Sequence, residues 1–308
     1  MKAIDNLKRW AKVIGNFFSD TFIGRSIVFI SLPLALLVVA FWETEQEPPI
    51  FDAQVHYNIE SWERVSVEAI LGTSKSKNVP WLLVGSLPNE GTQRLYRGNP
   101  DRVIPMMVPY RTREERETWF NNPKTLQYIE SELELLPYRG IGEFFLFTGQ
   151  VDTPVVRGMV ELAQNRRLVL HARSDHHAIR QLFEFGPDLH ILWAHAGMFT
   201  PPGIVGEMLG RYPRLWVDLS LREDVAPRGK LNPEWREVLL RHPNRFLLGS
   251  GTYNTEYWYK FRYYFDKYRE WLKDLPIGPA EQIAFRNGLE LFNVNYREPA
   301  HAGSQEKK

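Results

Sequence analysis

Eight short apolar runs, each followed by a stretch with helical spacing, limit what this chain can become more than any other feature. The runs are IFDAQVH (Ile50–His56), WLLVGS (Trp81–Ser86), RVIPMMVP (Arg102–Pro109), GIGEFFLF (Gly140–Phe147), RLVLHA (Arg167–Ala172), LHILWAH (Leu189–His195), RLWVDLS (Arg214–Ser220) and RFLLGS (Arg245–Ser250). Strand–helix alternation of this kind argues for repeated β/α units rather than a sandwich or a bundle. Helices are expected at Arg113–Leu136 and Thr153–Asn165, with Ser174 and Asp175 capping one after the fifth run and Pro201 and Pro202 opening one after the sixth. A doubly wound open sheet is the competing architecture, but no glycine-rich phosphate loop follows the first run. Eight units fit a closed α/β barrel of the (β/α)8 type.

Ahead of this region, Ser26–Trp42 (SIVFISLPLALLVVAFW) carries no charge and is close to the length that spans a bilayer. Lys2, Lys8, Arg9, Lys12 and Arg25 precede it and Glu43, Glu45 and Glu47 follow, so the positive-inside rule leaves the N-terminus in the cytoplasm. A cleaved signal peptide is the rival reading, with Val38 and Ala40 as small residues before a cut, but the charged region before it is long. The expected layout is a cytoplasmic basic segment (1–25), a transmembrane anchor (26–42), a linker (43–49), the barrel (50–296) and a disordered tail (297–308). That places a single-pass protein in the inner, cytoplasmic membrane with its barrel on the outer or periplasmic side. The chain has no cysteine, which excludes disulfides, thiol nucleophiles and thiolate metal sites without identifying the compartment. With 38 basic and 37 acidic residues the net charge is +1, which gives no electrostatic ground for a nucleic-acid partner. The partners expected are a small-molecule substrate and a membrane; the oligomeric state is not set by the sequence.

In (β/α)8 barrels the C-terminal strand ends carry the chemistry. Strand alternation puts Asp52, Gln54 and His56 on one face of the first run. His56, His171 and His195 lie at or near the ends of runs one, five and six, with Glu143 in the fourth and Asp218 in the seventh. Singly, each has a bland reading: a satisfied core histidine, a glutamate paired with an arginine, an aspartate bonded to a loop. Together at one rim, three histidines each need partners for both ring nitrogens, which favours a shared purpose. Arg173 shares a strand face with His171 and is a candidate to hold an anionic substrate; the alternative is that it pairs with Asp175 or faces water. In the aromatic segment Thr252–Pro276, Trp258, Phe261, Phe265, Tyr268 and Leu272 form one apolar stripe that packs on the barrel. Tyr253, Tyr257 and Tyr264 are surplus to that stripe and open to a role at the entrance, stacking on a flat or sugar-like ligand.

Taken in order, FDAQVHY, GIGEF, LVLHA, LWAHAGM, LWVDLS, FLLGS and IAFRNGLELF resemble the amidohydrolase-related family of metal-dependent TIM-barrel hydrolases, over nearly everything from Ile50 to Phe292. The resemblance implies one or two divalent metals, zinc foremost, at the barrel mouth and an activated water, with some members decarboxylating instead. It matches His56 to the second histidine of an H-x-H pair, His171 to a metal histidine, and His195 to a ligand or carbonyl-polarising group. Gln54 stands where the first histidine of the pair is expected, and Gly251 where the metal-binding, proton-accepting aspartate is expected. A neutral amide oxygen is a poor substitute for imidazole at zinc, and glycine offers no ligand. The expected assignments are therefore His56, His171 and Glu143 for a metal, His195 and Asp218 for catalysis, and Arg173, Gln54 and Tyr253 for substrate. Three functions stay open: a membrane-anchored hydrolase using metal-activated water, a barrel that has lost its metal and binds a ligand, and metal-free acid–base catalysis by His195 and Asp218 with Arg173 on a substrate carboxylate.

Overall fold

A computed structural model describes residues 47–295. The segments expected as basic region, membrane anchor and tail, 1–25, 26–42 and 297–308, lie outside the described residues. Among the described residues no helix is long and apolar enough to cross a membrane.

The eight runs become eight parallel strands in sequential order: β1 Phe51–Val55, β2 Trp81–Val84, β3 Val103–Met107, β4 Gly140–Phe145, β5 Val169–Arg173, β6 His190–Trp193, β7 Leu215–Asp218 and β8 Phe246–Leu247. Each pairs in parallel with the next. Closure is made by an Asp52–Leu248 bridge, by Ala53 N–H donating to Leu248 O at 2.7 Å and by Gly251 N–H donating to Gln54 O at 2.8 Å. The ring is therefore a (β/α)8 barrel, and its strands are buried on both faces as parallel strands must be when helices cover them. Period-two alternation sorts β1: Phe51 stacks outward on Phe292 and Trp81, while Asp52 and Gln54 point into the barrel.

The helices begin where the sequence supplies caps. Helix α1, Val67–Ser76, is capped by Ser66 Oγ, which accepts from Ala69 N–H; α2 spans Glu90–Gly98. After β3, the single helix expected over Arg113–Leu136 is instead two short turns, Glu115–Glu117 and Trp119–Asn121, followed by α3, Lys124–Leu133. Pro123 explains the break, since proline disfavours helical geometry in the residue before it and has no N–H to donate. The interrupted stretch buries Trp119 against Phe144. Helix α4, Pro154–Arg166, follows the Thr153 cap, and α5, His176–Phe185, follows Asp175, whose carboxylate accepts from His177 and Ala178 N–H. Helix α6 is Pro202–Arg211, with Pro201 as its cap residue, and α7 is Pro233–Arg241 with an Asn232 cap. The aromatic segment after β8 forms α8, Thr255–Tyr259, and α9, Phe261–Leu272. Its stripe packs inward: Trp258, Phe261, Phe265 and Leu272 are buried and Tyr268 is partly so.

Candidate functional site

Glu143 is the hub of the strand ends. Gly142 immediately before it has φ +140°, and a Cβ there would stand 2.2 Å from His171 O, so only glycine lets β4 turn its next residue inward at this point. Glu143 Oε1 lies 3.1 Å from His195 Nε2, and Oε2 lies 3.3 Å from His56 Nε2. Both histidines have their other nitrogen occupied. His195 Nδ1 donates to Ser220 O at 2.9 Å, and His56 Nδ1 donates to Gly85 O. A carbonyl oxygen can only accept, so each Nδ1 keeps a proton and the Nε2 side is left to face the carboxylate.

Charge follows from that geometry. Burial opposes the Glu143 charge, but hydrogen bonds from His195 and His56 outweigh it and hold the carboxyl well below the usual carboxylate range. Burial likewise works against charge on His195, yet the bond to Glu143, the Glu143 charge and that of Asp218 lift it above the ordinary histidine value. The two form an ion pair whose side chains are 1% and 7% exposed.

Behind this pair runs a second set of polar groups. Gln54 places its amide 3.2 Å from His195 Nε2 and against Ser220 Oγ, and Ser220 Oγ donates to Asp218 Oδ2 at 2.8 Å. Asp218 Oδ1 accepts from Ser220 N–H at 2.7 Å. His171 Nε2 faces Asp218 Oδ2 at 3.6 Å, beyond hydrogen-bond length, and is buried with no hydrogen-bond partner. Deeper still, Asp52 Oδ1 accepts from Ser250 N–H at 2.8 Å and Gln54 N–H at 3.2 Å. Burial, helped by the Asp218 charge, outweighs those bonds and pushes its carboxyl up to about 7.

The cavity at this end of the barrel has a volume of about 630 Å³. His56, Glu143, Arg173 and Tyr253 line it, joined by Asn58, Tyr110, Arg113, Arg116, Phe145, Leu221 and Tyr257. Arg173 belongs to β5, and its guanidinium packs over the Phe145 ring at 4.6 Å, as does that of Arg116 at 4.4 Å. Asp175, the partner considered for Arg173, instead accepts from Thr148 Oγ1 at 2.6 Å and caps α5. Arg113 pairs with Glu60; among the described residues Arg173 has no carboxylate partner. His195, Asp218, Gln54 and His171 lie behind the cavity wall rather than on it, each no more than 2% exposed.

A divalent metal is what the resemblance implies here, and the donor set does not fit one. Among the described residues no three His, Cys, Asp or Glu side chains are arranged to hold an ion. Both oxygens of Glu143 face imidazoles, Gln54 puts a neutral amide where a ligand would stand, and Gly251, at φ +61°, has no side chain. A Cβ at Gly251 would lie 2.9 Å from Leu221 Cγ, so leucine fills the space an aspartate would need.

Sequence reasoning missed Ser220, Leu221 and Arg222. Arg222 is buried over Trp235 and donates to His195 O, Ala196 O and Thr200 O, at 3.2, 3.0 and 3.0 Å, pinning the loop after β6 in which His195 has φ +55°. Only for Ser220 did a signal exist, in the D-x-S spacing that lets a side chain return to the aspartate two residues back.

No family model matches the chain, and no curated protein matches it in sequence. Solved structures do share the fold. An amidohydrolase from Burkholderia multivorans is 12% identical, with a TM-score of 0.54 over 80% of this chain and 100% of its own. A 2,6-dihydroxybenzoate decarboxylase solved with 2,6-dihydroxybenzoate is 11% identical, with a TM-score of 0.55 over 80% of this chain and 100% of its own. A TatD homolog from Escherichia coli K12 is 15% identical, with a TM-score of 0.57 over 80% of this chain and 98% of its own. The eight-stranded barrel read from the sequence is thus shared with these solved structures at the level of fold.

Proposed function

We propose that the barrel mouth is a metal-independent acid–base centre, of hydrolase or decarboxylase type, acting on a small carboxylate. The observation that carries this reading is Glu143, bridging His56 and His195 on the wall of a cavity that also presents Arg113, Arg116 and Arg173. Arg173, seated on Phe145 and without a carboxylate partner among the described residues, holds the substrate carboxylate as a fixed cation; Arg116 on the same ring is paired with Glu117 at 2.9 Å. His56, its Nδ1 committed to Gly85 O, has only Nε2 free for chemistry. With Nε2 bare, His56 takes the proton from water as it attacks a carbonyl, the Glu143 carboxylate balances the imidazolium so formed, and the same proton is returned to the leaving oxygen. In decarboxylation no water attacks: His56, protonated beforehand from solvent, gives its Nε2 proton to the carbon whose bond to the carboxylate breaks, that carbon keeps the bonding electrons, and carbon dioxide leaves. His195 and Gln54 act from behind, fixing Glu143 in place and in charge.

The neighbours' activities suggest the probes. Turnover of 2,6-dihydroxybenzoate and of a panel of aryl and lactone carboxylates should persist in EDTA and vanish in Glu143→Gln. Stoichiometric zinc or manganese together with chelator-sensitive turnover would overturn the reading. A second reading, a ligand-binding barrel without turnover, is favoured by Gln54 and Gly251 at the two positions where metal ligands are expected; it predicts that those acids bind and are recovered unchanged. We also infer that the barrel is held on the periplasmic side of an inner membrane through 26–42, on the strength of that segment's uncharged composition and flanking charges. Resistance of the membrane-bound protein to alkaline carbonate extraction is the expected result.

A further inference from the structure

We infer that the ligand is elongated, with a second aromatic ring lying outside the barrel mouth on a run of tyrosines that leads to a separate cavity. This rests on the proposal that the mouth binds a carboxylate, and extends it to what lies at the other end of the molecule. The second cavity, about 300 Å³, is built between the loop after β7 and helix α9, and its walls include Tyr263, Tyr264, Tyr268 and Trp271. Leu221 lines both cavities and is the ridge between them.

The tyrosines join the two spaces. Tyr253 and Tyr257 line the mouth, with ring centroids 4.4 Å apart. Tyr257 stacks on Tyr264 at 5.9 Å and 16°, and Tyr264 meets Tyr263 at 5.8 Å, both now in the second cavity. Packing of α8 and α9 on the barrel does not require these rings, because Trp258, Phe261, Phe265 and Leu272 already fill that interface. Tyr253 and Tyr263 remain 42% and 55% exposed. A contiguous row of part-exposed tyrosine rings between two cavities, whose outer edges and remaining faces can meet a ligand, suits a planar ring better than an aliphatic tail, because aromatic pairing adds to simple area burial. The carboxylate then sits at Arg173 and the distal ring beyond Leu221, against Tyr264.

Benzoate and biphenyl-4-carboxylate separate the two ends in a calorimetric titration. Biphenyl-4-carboxylate should bind at least tenfold more tightly than benzoate. Tyr264→Ala should remove that advantage while leaving benzoate affinity unchanged, and Tyr264→Phe should keep it; Arg173→Met should weaken both acids alike. Equal affinity for the two acids, or an advantage untouched by Tyr264→Ala in a protein that melts normally, overturns the extended site and leaves the mouth intact. Failure of both acids to bind, with Arg173→Met indistinguishable from wild type, overturns the carboxylate reading and the extension with it.

Discussion

Glu143 and His195, 52 residues apart in the chain, meet at 3.1 Å where β4 and β6 end, and both side chains of this ion pair are buried. Removing one partner of such a pair leaves the other charge buried without compensation. Glu143→Gln should therefore destabilise the fold by roughly 3 to 5 kcal/mol and return the His195 imidazole to or below its ordinary titration range. Urea unfolding and imidazole NMR titration measure the two effects.

The same pair sets a pH window. The Glu143 pKa is lowered on folding, so its contribution is present above the unfolded carboxylate value and is lost as pH falls through the depressed one. The His195 pKa is raised, so its contribution is full below the unfolded histidine value and is lost as pH rises through the elevated one. The pair is expected to stabilise most between those limits, and an unfolding free energy that does not decline on either side would contradict it.

Asp52 should behave in the opposite sense to Glu143. With its carboxyl raised from 3.8 to about 7, it favours the protonated form when folded; its contribution is intact below 3.8 and shrinks as pH rises toward 7. Asp52→Asn keeps an oxygen to accept from Ser250 and Gln54 N–H but has no charge to bury. Its stability relative to wild type should rise between about pH 4 and about pH 7, by up to roughly 4 kcal/mol, as measured by denaturant unfolding across that range.

Gly142→Ala tests how the hub is positioned. Its Cβ would stand 2.2 Å from a backbone oxygen and its φ of +140° is strained for any other residue, so a loss of roughly 3 kcal/mol or more is expected. Thermal melting decides it.

Placing histidine at Gln54 and aspartate at Gly251 together should not create a zinc site, because the aspartate would collide with Leu221. Elemental analysis should find no zinc in that double variant; one zinc per chain would show that Leu221 yields the space.

The barrel was legible because each strand run is short, apolar and bounded, and because burial on both faces leaves little room for another assignment. Of the five groups expected at one rim, His56, His171, His195, Glu143 and Asp218, only His56 and Glu143 line the cavity, where Arg173, a separate candidate, joins them. The interruption at Pro123 was visible in the chain but lay inside a segment whose apolar spacing favours continuous helix. What stayed hidden came from loops: Arg222 reaches three carbonyls that no pattern announces, and Leu221 acts through space that exists only once β7 and β8 are paired. Nor could spacing reveal that His195, Asp218 and His171 sit behind the wall, since alternation gives a side chain's face but not its depth.

The leucine beside Gly251 also decides what that corner of the site can hold. One volume serves two side chains: a carboxylate placed at Gly251 meets Leu221, and shortening Leu221 alone leaves a void. The two positions are therefore coupled through one small volume, and substitutions at Gly251 and Leu221 should not add.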